Sequence, residues 1–186
     1  LLFSATDAVN GRELWKTDGT SGGTVLLKDL NPGSGDGSPS QIYSYNGVAY
    51  FIGNYANNQG ALYKTDGTVT TQIKTGLHNS QGFIGVGNTI YFVFMPSVAY
   101  DLSKTDGTLG GTMEVKAGCF PTAQNPEMTV VNNIFLFQGR PTSGGFELWT
   151  SDGSGPGTVI LKDINAGTSG SSPKEFTVIG SKVYFA

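Results

Sequence analysis

The chain has 186 residues, of which 28 are glycine and only 13% are charged, with 14 acids against 11 bases and a net charge of −3. Globular proteins average about 7% glycine and about 25% charged residues, so this composition excludes a chain of long helices and points to many tight turns. A pI near 5.0 leaves no basic footprint for nucleic acid, and 38% hydrophobic with 11% aromatic residues excludes intrinsic disorder.

In chain order, the first expected strand is the aromatic segment at Leu1 to Ala5, followed by a strand around Glu-Leu-Trp (13–15), an Asp-Gly turn, and a strand in Thr-Val-Leu-Leu-Lys-Asp-Leu (24–30). Next come two strands joined at Asn46-Gly47, one of the strongest short hairpin signals because both residues tolerate positive φ. The pattern then recurs. Lys-Thr-Asp-Gly-Thr stands at 16–20, 64–68 and 104–108, and Thr-Ser-Asp-Gly-Ser at 150–154, so the aspartates Asp18, Asp66, Asp106 and Asp152 are 48, 40 and 46 residues apart. A last partial copy, Glu175 to Ala186, reads as a hairpin about Gly180-Ser181.

Each repeat therefore predicts four short strands, A to D, with the Asp-Gly loop joining C to D. Leu14, Leu62, Leu102 and Leu148 occupy one face of strand C, and Lys28, Lys74, Lys116 and Lys162 end strand D, as suits an outer edge where charge discourages pairing with other chains. Units fall at about 1–41, 42–81, 82–126 and 127–175, with a partial closing unit at 176–186, all within a single repeat domain spanning 1–186. Four strands per unit of about 45 residues is the pattern of a β-propeller blade, which predicts an all-β propeller of four blades; a segment of a larger propeller and a β-solenoid are the alternatives. The first unit lacks a strand A and the tail supplies an extra A–B pair, so ring closure and self-association through the spare terminal strand are both expected possibilities.

The segments Gly-Arg-Glu-Leu-Trp-Lys-Thr-Asp-Gly-Thr (11–20) and Gly-Phe-Glu-Leu-Trp-Thr-Ser-Asp-Gly-Ser (145–154), each followed by Gly-Thr and Leu-Lys-Asp, resemble the ELWxxDGT repeat of large secreted and surface proteins of bacteria. The likeness extends over nearly the whole chain. In the second and third units Tyr63 and Ser103 replace the tryptophan, and the Leu-Lys-Asp motif is lost. The resemblance implies a secreted or cell-surface location and an adhesion or display role, rather than a chemical activity. The four blades also resemble hemopexin-like domains in size. The start at Leu1, without methionine or a basic leader, reads as a mature or excised segment, and no apolar run approaches the ~20 residues of a membrane span.

The candidate chemistry is sparse. Nine of the 14 acids lie at repeat positions, leaving Asp7, Asp36, Glu114, Glu127 and Glu175; His78 is the single histidine, which excludes a multi-histidine metal centre. No catalytic residue is assigned, and a hydrolase is the weaker alternative to a non-catalytic binding module. No cofactor is expected, except weak calcium binding near Asp36 in the loop 31–40, where one carboxylate offers little to an ion that wants six to eight oxygens. Cys119 is alone, so it is either an inert small hydrophobe or a reactive thiol.

Aromatic residues carry the functional expectation. Sugars stack apolar C–H faces on aromatic rings while polar groups fix their orientation. Trp15, Tyr63 and Trp149 at one repeat position, with Tyr55, Asn54, Asn57, Asn58 and Arg140 in longer loops, are the candidate ligand residues for a glycan or a protein surface. The competing reading makes the tryptophans packing residues of the repeat. Asp18, Asp66, Asp106 and Asp152 are expected to be turn residues.

Overall fold

The computed structural model describes residues 1–56, 59–77, 80–95, 100–120, 127–141 and 144–186. Among them the chain is all β, with no α-helix and no helix that could cross a membrane. It divides into two compact units, Leu1–His78 and Asn79–Ala186.

The first unit holds two antiparallel sheets. One is three-stranded, in the order β1 (Leu2–Asp7), β2 (Gly11–Lys16), β3 (Val25–Lys28). The other is four-stranded, in the order β4 (Ser40–Tyr45), β5 (Val48–Tyr55), β6 (Gln59–Thr65), β7 (Thr70–Thr75). Their shared core is Leu14, Leu30, Phe51, Ala61 and Tyr63, with Leu27, Ile42 and Tyr55 packed around it.

The second unit holds the four-stranded sheet of β8 (Gln81–Val86), β9 (Thr89–Phe94), β10 (Tyr100–Thr105) and β11 (Met113–Phe120). A second four-stranded sheet follows, made of β12 (Met128–Val131), β13 (Ile134–Gly139), β14 (Glu147–Ser151) and β15 (Val159–Lys162), and then a separate two-stranded one of β16 (Thr177–Ile179) and β17 (Lys182–Tyr184). Its core is an aromatic ladder in which Phe137 lies 4.9 Å from Phe120, 5.1 Å from Phe135 and 5.9 Å from Trp149, all within the range of favourable ring pairs.

Strands A to D thus follow the repeat, in simple up-and-down order. The A–B turns are of two kinds. Asn46-Gly47 and Asn132-Asn133 have positive φ at both residues, the type I′ geometry, whereas Gly87-Asn88 and Gly180-Ser181 have it only at glycine, the type II′ geometry. Strands β3, β7, β11 and β15 lie at sheet edges, and Lys28, Lys74, Lys116 and Lys162 pair with Leu14, Leu62, Leu102 and Leu148. A bulge directly after each of these pairs bends strand D at the same repeat position.

The Asp-Gly loops are longer than a two-residue hairpin, and the aspartates organise them. Asp18, Asp66, Asp106 and Asp152 each accept the amide and hydroxyl protons of the threonine or serine two residues on. Gly23, Gly111 and Gly157 pass so close to Asp18, Asp106 and Asp152 that a Cβ would occupy the carboxylate's place, which accounts for the glycine of each Gly-Thr motif. In the second repeat that glycine is absent, the loop is shorter, and Asp66 takes the Val69 amide as well. Beside two of these turns a lysine reaches onward to the next sheet: Lys16 Nζ donates to the Gly67 carbonyl at 2.9 Å, and Lys104 Nζ to that of Gly153 at 2.8 Å.

The Thr68 hydroxyl, then the Val69 and Thr68 amides, hold the Asp66 carboxyl down at about 2 against an ordinary 3.8. A depressed folded-state value gives stability that is complete above 3.8 and lost as pH falls toward about 2. Melting temperature should therefore drop across that window in the native sequence, and less steeply in Asp66→Asn.

Candidate functional site

The carboxylates inside the sheets are loop anchors. Glu13 is fully buried and accepts the amides of Leu30 and Gly37, both at 2.6 Å, so it clamps the glycine-rich loop after β3. Glu147 repeats the arrangement with the Ile164 amide and the amide and hydroxyl of Ser171. Burial pushes the Glu13 carboxyl above its ordinary range despite its amide donors, whereas at Glu147 the opposing hydrogen bonds from Ser171 and Ile164 prevail and hold it below. Asp101 stands at the same repeat position and takes the Gly118 amide at 2.7 Å. Where the second repeat has Ala61 instead, the Gly60 carbonyl receives the Gly76 and Leu77 amides, so main chain replaces the carboxylate. In the sequence these acids stand out only as three of the nine at repeat positions. Their sequence signal is an acid beside a buried leucine, followed 17 to 24 residues later by a glycine-rich loop.

The candidate ligand residues part company. Trp149 is 6% exposed, tilted against Phe137, and sits over Gly139, where a Cβ would lie 2.8 Å from the indole. Its ring packs the core and turns no open face to solvent. Trp15 is half-buried, and the indole Nε1 atoms of both tryptophans are enclosed without a hydrogen-bond partner. Arg140 is exposed in the second unit, its amide bonded to the Cys119 carbonyl. Asn57, Asn58 and His78 lie outside the described residues, and the Asn54 amide donates to the Gly37 carbonyl at 2.6 Å.

Tyr55 and Tyr63 do come together. They line a cavity of about 300 Å³ in the first unit with Lys28, Asp29, Leu30, Pro32, Thr70 and Gln72. Tyr63 is stacked on Phe51 at 5.3 Å and accepts a hydrogen bond from Gln72 Nε2 at 3.1 Å. Burial raises the Tyr63 hydroxyl above its usual range, so it keeps its proton as a donor. Tyr55 is half-exposed, with its hydroxyl held by Gln59 Oε1 at 2.6 Å. The decisive atom is Asp29 Oδ1, which is buried and has no hydrogen-bond partner. A buried acceptor left unpaired is costly, which singles Asp29 out among the residues lining the cavity.

A larger cavity of about 630 Å³ lies between the Asp18 and Asp66 loops of the same unit. There Oδ1 of each carboxylate is committed to its own turn, and no buried, unpaired polar atom is found among the lining residues. Asp36 spends Oδ1 on the Arg12 amide at 2.8 Å, and among the described residues no group of three or more metal-ligating side chains gathers around it or elsewhere. Cys119 is 1% exposed and burial pushes its thiol up to about 12. It should resist a thiol-specific disulfide reagent in the native protein near neutral pH and react fully once denatured; rapid native labelling would contradict its enclosure.

No family model and no curated protein matches this chain.

Proposed function

We propose that this protein is a non-catalytic extracellular binding module, its sheets the blades of a four-bladed β-propeller of the ELWxxDGT-repeat type, and that it recognises a carbohydrate in the Tyr55–Tyr63–Asp29 cavity. The observation that carries the reading is the unpaired, buried Asp29 Oδ1 beside two tyrosines and the Gln72 amide. Tyr55 offers ring surface to the C–H face of a sugar, Asp29 takes a hydroxyl proton, and Gln72 and Tyr63 set the orientation. A volume of about 300 Å³ is the lower end of the range for small-ligand sites and suits one sugar ring rather than a long chain.

Glycan-array screening followed by calorimetry tests this. The native protein should bind at least one glycan. Asp29→Asn should then weaken it by about 10- to 100-fold, the equivalent of one hydrogen bond to a charged group, and Tyr55→Ala should weaken it too. Absence of binding to every immobilised sugar would overturn the carbohydrate reading, as would native affinity in Asp29→Asn.

A further inference from the structure

The polar side chains of the Tyr55–Tyr63 cavity are unevenly divided between those that accept and those that give a proton. Tyr55 donates its hydroxyl proton to Gln59 Oε1, and Thr70 donates its own to Thr65 Oγ1 at 3.2 Å, so both oxygens are left as acceptors. Gln72 spends an Nε2 proton on Tyr63, which leaves its Oε1 to accept. Asp29 adds a carboxylate whose buried Oδ1 has no partner. Against these stand the Tyr63 hydroxyl proton and the second Nε2 proton of Gln72. Acceptors therefore outnumber the protons that these side chains offer.

The charge around the cavity has the same bias. Glu13, fully buried, holds the amide of Leu30, the residue directly after Asp29. Its carboxyl is raised first by burial and also by the charge of Asp29, and the Tyr63 hydroxyl is raised first by burial and also by the charge of Glu13. Both carboxylates thus act on the cavity wall, and the faces of the tyrosine rings carry the negative side of the aromatic quadrupole. Lys28 is the opposing charge in the lining, but it is exposed on the edge strand β3, where water and salt screen its ammonium. A group that brings several protons, a positive charge and no acceptor answers both features. An ammonium brings three N–H donors, whereas a hydroxyl brings one and an acetamide nitrogen brings one without charge.

We propose that the ligand of this cavity is an amino sugar, its free ammonium bound to Asp29 with the Gln72 and Thr70 oxygens as further acceptors, and the C–H face of its ring against Tyr55. The proposal rests on the carbohydrate reading of the same cavity and sharpens one contact in it: the proton that Asp29 takes comes from an ammonium rather than a hydroxyl. Thr70 and Gln72 stand two apart on β7 and so share one face of that strand. Opposite charge compensates a carboxylate oxygen withdrawn from water more fully than a neutral donor does. The Tyr63 proton remains for a hydroxyl of the same ring, which makes the ligand a sugar and not a bare amine.

Matched sugars test this on the full chain: an array of hexosamines, their N-acetyl derivatives, the parent hexoses and the hexuronic acids, followed by calorimetry with the methyl glycosides of the best-bound set. The free hexosamine should bind about tenfold or more tighter than its hexose and N-acetyl counterparts, the margin of a charge-assisted over a neutral hydrogen bond. Its affinity should fall as salt rises and as pH passes above the sugar amine's own pKa, with the hexose showing neither trend. Asp29→Asn should erase the preference, and Lys28→Gln, which alters an exposed side chain, should not diminish it. Equal or tighter binding of the hexose or the N-acetyl sugar, a preference that survives Asp29→Asn, or best binding of a hexuronic acid that is lost in Lys28→Gln would overturn the amino-sugar inference and leave the carbohydrate reading standing. Binding to no sugar would overturn both. Should Asp29→Asn fail to fold, the matched sugars and the salt dependence of the native protein decide alone.

Discussion

Replacing Glu13 by alanine is expected to lower the unfolding free energy by about 3 kcal/mol, the order of magnitude for losing two hydrogen bonds to a buried carboxylate and leaving their amides unpaired. The Leu30 and Gly37 amides have no substitute acceptor, because the backbone arrangement that serves the second repeat depends on the Gly60 carbonyl standing beside Gly76 and Leu77. Glu13→Gln should cost less, since the amide oxygen still accepts one of the two bonds. The damage should also spread to the Tyr55–Tyr63 cavity, for Lys28, Asp29 and Leu30 on its wall lead into the clamped loop. Denaturant unfolding gives the stability change. An alanine variant within about 0.5 kcal/mol of the native protein, the range of ordinary surface changes, would refute the clamp.

Substituting Gly145 or Gly170 by alanine should cost about 3 kcal/mol or more, beyond the usual range for an added methyl, because the obstacle is backbone rather than a side chain. A Cβ on Gly145 would meet the main chain of Gly170, and one on Gly170 the main chain at Gly145 and Phe146. At this crossing the Ser172 amide bonds the Phe146 carbonyl and the Ser171 amide bonds Glu147, so the loop cannot retreat without losing its anchors. The first repeat has the same crossing, where a Cβ on Gly11 would lie 2.8 Å from the Gly35 carbonyl oxygen. By contrast Gly167→Ala, where no atom lies within 4 Å of the added Cβ, should cost only the strain of a positive φ. Thermal melts of the three variants would rank them, and a Gly145→Ala melt equal to that of Gly167→Ala would count against the steric account.

Much of the fold is legible in the sequence. Strand content, the Asn46-Gly47 and Gly180-Ser181 hairpins and the antiparallel C–D pairs follow from local patterns of period two and from turn chemistry, whereas lysine ends only β3 and β15, with Lys116 well inside β11. Asp18, Asp66, Asp106 and Asp152 acted as expected because an Asx turn is satisfied within three residues of chain. Glu13 and Glu147 were not legible in the same way. Their partners lie 17 and 24 residues on, and nothing in a strand sequence tells an outward carboxylate from an inward one bonded to a distant loop.

The site divides along the same line. Tyr55 and Tyr63 stand out in the sequence as aromatic candidates and line one cavity with Asp29, which in the sequence is one more repeat acid. What sets it apart is a buried oxygen with no hydrogen-bond partner, a property of packing rather than of residue type. Likewise Trp15 and Trp149 are the same residue at the same repeat position, yet one is half-buried and the other sits in a core.

The glycine-rich, weakly charged composition by itself determined the units of construction: short strands, their turns and a period of about 45 residues, because hairpin hydrogen bonds and side-chain alternation are local. Only the tertiary structure decided which acids are structural clamps and which aromatic rings are closed off, because burial is decided by what a neighbouring sheet brings against a residue.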